Sequence, residues 1–145
     1  MTHFPYRVVV DPNVLIAAAI TRDDHSPGRT IVRAAAEGRV ALIACPHLWG
    51  ELVTVLARPK IRQRLASPDA DQFVVALRLL ATEVDDPVDI ARVVTDPADD
   101  YLIALARRES VHSLITGDKA VLAALAPDLL IQTPRQFVDR LSSTR

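Results

Sequence analysis

Cysteine is almost missing: Cys45 is the only one in 145 residues. A lone thiol excludes an intrachain disulfide framework and any cysteine-rich zinc site. No run of about 18 apolar residues occurs, so no segment is expected to span a membrane. The first ten residues lack a basic stretch followed by a long apolar run, the pattern of a secretory signal. A cytoplasmic protein is therefore expected. Net charge is also scarce, with 17 basic residues against 18 acidic ones for a formal −1. Coating nucleic acid by bulk charge is excluded, while local basic patches stay open. The four histidines, His3, His25, His47 and His112, are scattered, and none has metal-ligand spacing with another. Internal repeats, linkers and low-complexity tracts are absent.

Half of the residues are hydrophobic and 24% are charged, the composition of a soluble globular chain. The length predicts a single domain over residues 1–145. At this size about two-thirds of the unfolded surface should be buried, enough for a core without staples.

Tyr6–Val10 is a β-branched run stopped by Asp11-Pro12-Asn13, which reads as a buried strand and a turn. A helix over Val14–Ile20, a polar loop over Thr21–Gly28 and a helix over Arg29–Glu37 follow. Gly38 is a good stop residue for that helix. Val40–Ala44 reads as a second buried strand. Pro46 opens a helix to about Ala57, with Pro59 closing it. Ser67-Pro68-Asp69 reads as a helix start with Ser67 as N-cap, and that helix runs to about Ala81. A short strand is expected near Glu83–Asp85, then a weakly patterned connection over Asp86–Thr95. Asp96-Pro97-Ala98-Asp99 begins a helix that continues through Arg108. A strand over His112–Thr116, a helix over Lys119–Leu125, a strand over Leu129–Gln132 and a helix over Pro134–Leu141 complete the chain.

Short apolar strands alternating with amphipathic helices predict an α/β fold: a three-layer α/β/α sandwich around a four- to five-stranded parallel sheet. In such folds the site lies beyond the carboxyl ends of the strands. Acids occupy that position here. Asp11 follows the first strand directly, and Asp118 comes two residues after the strand ending at Thr116. Asp99 and Asp100 lie at a helix start. Glu51, one of only four glutamates, sits in a helix among Leu48, Trp49, Leu52 and Val53. Carboxylates brought together repel unless a cation neutralises them. An oxygen donor set without cysteine or histidine suits Mg²⁺ or Mn²⁺. Such ions activate water for phosphodiester displacement. The chemistry expected is metal-assisted phosphodiester hydrolysis, leaving 5′-phosphate and 3′-hydroxyl ends if water attacks directly.

Four blocks carry a family resemblance. They are Val8-Val9-Val10-Asp11-Pro12-Asn13-Val14-Leu15, His47-Leu48-Trp49-Gly50-Glu51-Leu52, Asp96-Pro97-Ala98-Asp99-Asp100-Tyr101-Leu102-Ile103-Ala104-Leu105-Ala106 and Leu114-Ile115-Thr116-Gly117-Asp118-Lys119. In this order they resemble the PIN-domain ribonucleases, and more narrowly the toxin components of VapBC-type toxin–antitoxin systems. Leu56–Lys60 also looks like one branch of that family, and the resemblance covers about residues 6–140. It implies a PIN-like fold and a Mg²⁺- or Mn²⁺-dependent endoribonuclease. It also implies a homodimer held inactive by a cognate antitoxin protein whose tail covers the site.

Carried over by position, Asp11 is the first acid and a metal ligand, Glu51 the second acid and Asp118 the fourth. Thr116 is the hydroxyl residue beside Asp118, and Asn13 helps to order the site. The third acid is either Asp99, favoured by the Asp-Pro-x-Asp spacing, or Asp100, which fits an Asp-x-x-Ile-Ala pattern. Adjacent helical residues point about 100° apart, so one of the two faces the ion. The family pattern often has Thr or Ser where this chain has Pro12, which removes a hydroxyl and a backbone donor.

Each acid also has a structural reading. Asp11, Asp96 and Asp118 suit helix caps or turns. Asp99 and Asp100 suit the positive end of a helix dipole, and Glu51 suits a salt bridge at the edge of the core. Asn13 and Thr116 suit caps or turns too. Arg58, Lys60, Arg62 and Arg64, four cations in seven residues, read either as RNA-backbone contacts or as a solvated helix end. Trp49 reads as core rather than a base-stacking platform, His47 as structural or surface, and Cys45 as a small buried residue. Two other functional classes fit a sandwich of this size. One is a PIN-like interaction domain that no longer cleaves. The other is a receiver-like phospho-acceptor domain, disfavoured because Val8–Val10 stand where its acidic pair belongs and Cys45 where its phosphorylated Asp belongs.

Overall fold

The structure, a computed structural model, describes residues 4–91 and 99–143. Its centre is strand β1, Tyr6–Val10, in which Val8, Val9 and Val10 are 3% exposed or less. β-Branched side chains fit a pleated surface covered on both faces. β1 pairs in parallel with β2 (Val40–Ala44) on one side and with β4 (Ser113–Ile115) on the other. Two-residue strands β3 (Thr82–Glu83) and β5 (Ile131–Gln132) extend the sheet outwards, giving the order β3-β2-β1-β4-β5. All four pairings are parallel. The expected α/β sandwich with four to five parallel strands is thus realised with five.

Proline sets where most helices start. Pro12 opens α1 (Pro12–Ile20), Pro27 opens α2 (Pro27–Ala36), Pro46 opens α3 (Pro46–Leu56) and Pro59 opens α4 (Pro59–Arg62). Pro68 is the second residue of α5 (Ser67–Leu80), and Pro134 opens α8 (Pro134–Ser143). The first helical position has no use for an N–H, so the ring costs nothing there and pre-sets φ. This corrects three expectations. Pro12 is not in a turn, Pro27 is not in a loop, and Pro59 does not merely close α3 but starts a further turn of helix. Ser67 is likewise the first residue of α5 and not its cap, the cap position being Ala66 with no side-chain bond. α6 (Asp100–Arg108) and α7 (Lys119–Leu122) complete the helices among the described residues. The cap expected at Asp96 lies outside the described residues.

α2 ends where the sequence indicates. Gly38 has φ +78°, a left-handed conformation, and the N–H groups of Gly38 and Arg39 return to the carbonyls of Ala35 and Ala34. α2 and α8 pack on each other and against the sheet, and α6 packs on β1 and β4. Leu42, Leu52, Leu102, Leu105, Leu114, Ile115 and Phe137 fill the core between them. Trp49 is 5% exposed and belongs to that core. No helix among the described residues is long and apolar enough to cross a membrane.

Candidate active site

From β1 the chain leaves towards β2 on one side of the sheet, and from β4 it leaves towards β5 on the other. The connections diverge at the carboxyl ends of β1 and β4, which opens a crevice there. Asp11 sits on the β1 side of it, 3% exposed. Its own N–H still donates to the Ile115 carbonyl of β4 at 2.9 Å, so the residue is held by the sheet. Its carboxylate caps α1, Oδ1 accepting the Asn13 N–H at 3.0 Å. That geometry accommodates Pro12, because the cap bond goes to the next residue and the proline position needs no donor.

On the β4 side Thr116 is fully buried. Its hydroxyl donates to Asp11 Oδ2 at 2.8 Å and accepts the Asp118 N–H at 3.0 Å. Asp118, half-buried, caps α7 by accepting the Ala120 N–H at 2.8 Å. The structural readings of Asp11 and Asp118 as helix caps are therefore realised. Capping uses one oxygen of each, and the same bonds aim both side chains over the crevice. A carboxylate as buried as Asp11 is costly without compensation, and two hydrogen bonds supply part of it.

Glu51 lies on the other wall, on α3, where Leu48, Trp49 and Leu52 anchor the helix in the core. It is half-buried. The Tyr101 hydroxyl of α6 donates to Glu51 Oε1 at 2.5 Å. Tyr101 itself is 4% exposed. Burial first, and then the bond to Glu51, push its phenol well above the ordinary tyrosine range, so it stays a donor. The exposed His47 ring, one turn before Glu51, meets the Tyr101 ring at 4.2 Å with the planes 60° apart.

These walls enclose a cleft of about 590 Å³ lined by Asp11, Asn13, Glu51, Asp99 and Asp118, with His47 and Arg58 among the remaining residues. Asp99 is the residue before α6 and is half-buried; Asp100, first in the helix, is 1% exposed and does not line the cleft. Thr116 lies under the cleft rather than on it. Of the four cations, Arg58 lines the cleft, and Lys60, Arg62 and Arg64 are exposed along and just beyond α4. A second cleft, about 600 Å³ and mostly apolar, shares Asp11, Asn13 and Asp118 with the first.

Carboxylate oxygens dominate the donors on the first cleft, which fits a hard divalent cation. The nearby thiol does not compete, since burial pushes Cys45 up to about 11. Among the described residues no three His, Cys, Asp or Glu side chains are gathered closely enough to enclose an ion. A cation in this cleft would therefore need donors beyond those side chains, as Mg²⁺ commonly does with waters and substrate phosphate.

Two residues on this site escape the sequence reading. Tyr101 is hidden inside an aliphatic helix face, its one signal being a hydroxyl where Phe would pack equally well. His47 reads as structural or surface, and the structure puts it on the cleft rim against Tyr101. The receiver-like alternative finds no acid at the end of β2, where Cys45 follows Ala44.

The PIN domain family matches residues 7–120, most of the chain and all four acid blocks. The chain belongs to the PIN domain family, whose members are generally nucleases. No curated protein matches its sequence. Among solved structures it is similar to PAE2754 from Pyrobaculum aerophilum, at 16% identity and a TM-score of 0.66, over 95% of this chain and 90% of that one. It is also similar to VapC20 of Mycobacterium tuberculosis, a toxin that cleaves the sarcin–ricin loop. That match has 16% identity and a TM-score of 0.55, over 81% of this chain and 96% of that one. At such identities the likeness is one of fold.

Proposed function

We propose that the chain is a divalent-metal-dependent endoribonuclease and the toxin of a toxin–antitoxin pair. The observation that carries this reading is a single cleft, at the point where the sheet connections diverge, lined by Asp11, Glu51, Asp99 and Asp118. The fold likeness to VapC20 supports the toxin part.

In this reading Asp11, Asp118 and one of Asp99 and Asp100 would share in holding Mg²⁺ or Mn²⁺, with waters and substrate phosphate supplying the rest of its donors. Such an ion would supply Lewis-acid charge and a water made nucleophilic near neutral pH. Asp99 is the third acid on the cleft wall, with Asp100 behind it in sequence as the alternative. Glu51 accepts a hydrogen bond from the attacking water. Asn13 and Thr116 hold Asp11 in place, Thr116 tying it to Asp118. Arg58, Lys60, Arg62 and Arg64 neutralise RNA phosphates beside the cleft. An antitoxin protein inhibits by covering the same cleft, and the protein works in the cytoplasm.

A homodimer completes the proposal. Val75 and Leu79 are 59% and 82% exposed one turn apart on α5, and Val53 is 52% exposed on α3. A second copy would cover such apolar faces. Small-angle scattering at micromolar concentration should show a dimer, and monomer alone would refute this part. The nuclease itself is tested by incubating 5′-labelled RNA with the protein in Mg²⁺ or Mn²⁺. Fragments with 5′-phosphate and 3′-hydroxyl ends are expected, and intact RNA would leave the inactive interaction domain as the better reading.

A further inference from the structure

We propose that Tyr101 is a positioning residue for Glu51: its hydroxyl occupies one oxygen of that carboxylate and leaves the other for the substrate side of the cleft. The inference rests on the nuclease reading and deepens it. Tyr101 is one of six buried residues of α6, and apart from it and Asp100 these are aliphatic: Leu102, Ile103, Leu105 and Ala106. Packing there needs no hydroxyl. A phenol buried to 4% must still find an acceptor, and the acceptor is Glu51 Oε1, 50 residues away on another helix. The 2.5 Å separation is that of a charge-assisted O–H···O⁻ bond. His47 closes the arrangement from outside, its ring against the phenol.

The consequence is geometric. An unrestrained glutamate samples several rotamers, whereas one held by a rigid aromatic side chain is oriented before substrate arrives. Tyr101 donates to Oε1 and Glu51 lines the cleft, so Oε2 is the oxygen that would accept from a water or an RNA hydroxyl there. The same bond ties α3, with Glu51, to the start of α6, with Asp99 and Asp100, and so fixes two of the acid blocks relative to each other.

Tyr101→Phe keeps the ring and its contact with His47 and deletes only the donor. Cleavage of a labelled RNA in Mn²⁺ should lose about 10- to 100-fold in kcat. KM and the Mn²⁺ concentration for half-activity should stay within about twofold. In a Glu51→Ala background the same substitution should change kcat less than about twofold, because Tyr101 acts through that carboxylate. A role in packing alone would carry its loss into both backgrounds. An active wild type with Tyr101→Phe equally active, or with equal losses in both backgrounds, overturns the positioning role while leaving the nuclease reading intact. Wild type that cleaves no RNA overturns the nuclease reading and the role with it. The contact has its own readout in EDTA, without activity. A denaturation cycle over Tyr101→Phe and Glu51→Ala should show the two coupled by about fivefold or more in the unfolding constant, and coupling below about twofold would refute the contact.

Discussion

Thr116 is the joint between the two central strands at the site, and replacing it with valine is a severe test of that role. The hydroxyl is fully buried, donates to Asp11 Oδ2 at 2.8 Å and accepts the Asp118 N–H at 3.0 Å. Valine keeps the β-branched shape that the strand end prefers and removes both bonds. Asp118 is half-buried, so its N–H can turn partly to water, and its loss should be small. Asp11 is 3% exposed, so its oxygen has little recourse to water. A buried group left without its partner costs about 1–3 kcal/mol. The near-complete burial of Asp11 puts Thr116→Val in the upper part of that range, about 2–3 kcal/mol. Thr116→Ser keeps the hydroxyl and loses one methyl, about 1 kcal/mol. At roughly 3 °C per kcal/mol for a chain of this size, the valine variant should melt about 6–9 °C lower and the serine variant about 3 °C lower. Urea denaturation gives the same ranking as free energies. A valine variant as stable as wild type, or a serine variant that falls equally far, would refute the assignment of stability to the hydroxyl bridge.

Asp86 provides the pH test. Its carboxylate accepts the His47 N–H at 2.8 Å, capping α3 from 39 residues away where Cys45 offers no cap. That bond holds its pKa below the ordinary carboxylate value. A depressed acid stabilises fully above its unfolded pKa of about 3.9 and loses that contribution as pH falls through the lower folded value. Asp86→Asn keeps an oxygen for the His47 N–H and loses only the charge at the start of α3, so it should be less stable than wild type by about 0.3–1 kcal/mol at pH 6, with the gap closing in strong acid; a gap that widens there would contradict the role of that charge. Changing Lys60, Arg62 and Arg64 together to Gln should flatten the salt dependence of RNA binding, by about 0.7 in the log–log slope for each phosphate no longer neutralised, measured by fluorescence anisotropy. An unchanged slope would assign these residues to the solvent. Asp99→Asn should cost about 10² in RNA cleavage, close to 2.7 kcal/mol of barrier. If Asp100→Asn shows that loss and Asp99→Asn does not, the third acid is Asp100.

The residues that show through the sequence are those whose role is local. Val8–Val10 read as a buried strand because nothing polar interrupts them, and Asp11 reads as a strand-end acid because Pro12 stops the run. Gly38 marks a helix end because only a left-handed residue closes α2 there. Three helix starts are hidden, at Pro12, Pro27 and Pro59, because proline signals a break and a first helical turn equally well. Long-range pairings are hidden for a different reason. Nothing near Cys45 announces that Asp86 caps α3, and nothing near Glu51 announces Tyr101. Strand bounds are also overread: β4 covers only Ser113–Ile115 of His112–Thr116 and β5 only Ile131–Gln132 of Leu129–Gln132, although the N–H groups of His112 and Thr116 still bond to Arg7 and Gln132 on the neighbouring strands. The acids at strand ends are legible because that edge is where any parallel sheet exposes its loops. The identity of the third acid is not, because it depends on which of two adjacent side chains the start of α6 turns into the cleft.

The central claim is that the acids on this cleft cleave RNA with a divalent cation, and Asp11→Asn tests it most directly. The substitution keeps the size of the side chain: its one oxygen can still accept the Asn13 N–H, while its amide nitrogen takes the place of Oδ2 and turns the Thr116 hydroxyl from donor to acceptor. It removes the charge that the strand end places beside Asp118. Wild type and variant should be compared on one labelled RNA in Mn²⁺, in Mg²⁺ and in EDTA, with thermal melts of both. The account predicts cleavage by wild type that EDTA abolishes, and a drop of about 10² or more for the variant, roughly 2.7 kcal/mol of barrier, with the fold intact. Wild-type cleavage that survives EDTA, or a variant that cleaves like wild type, would contradict it.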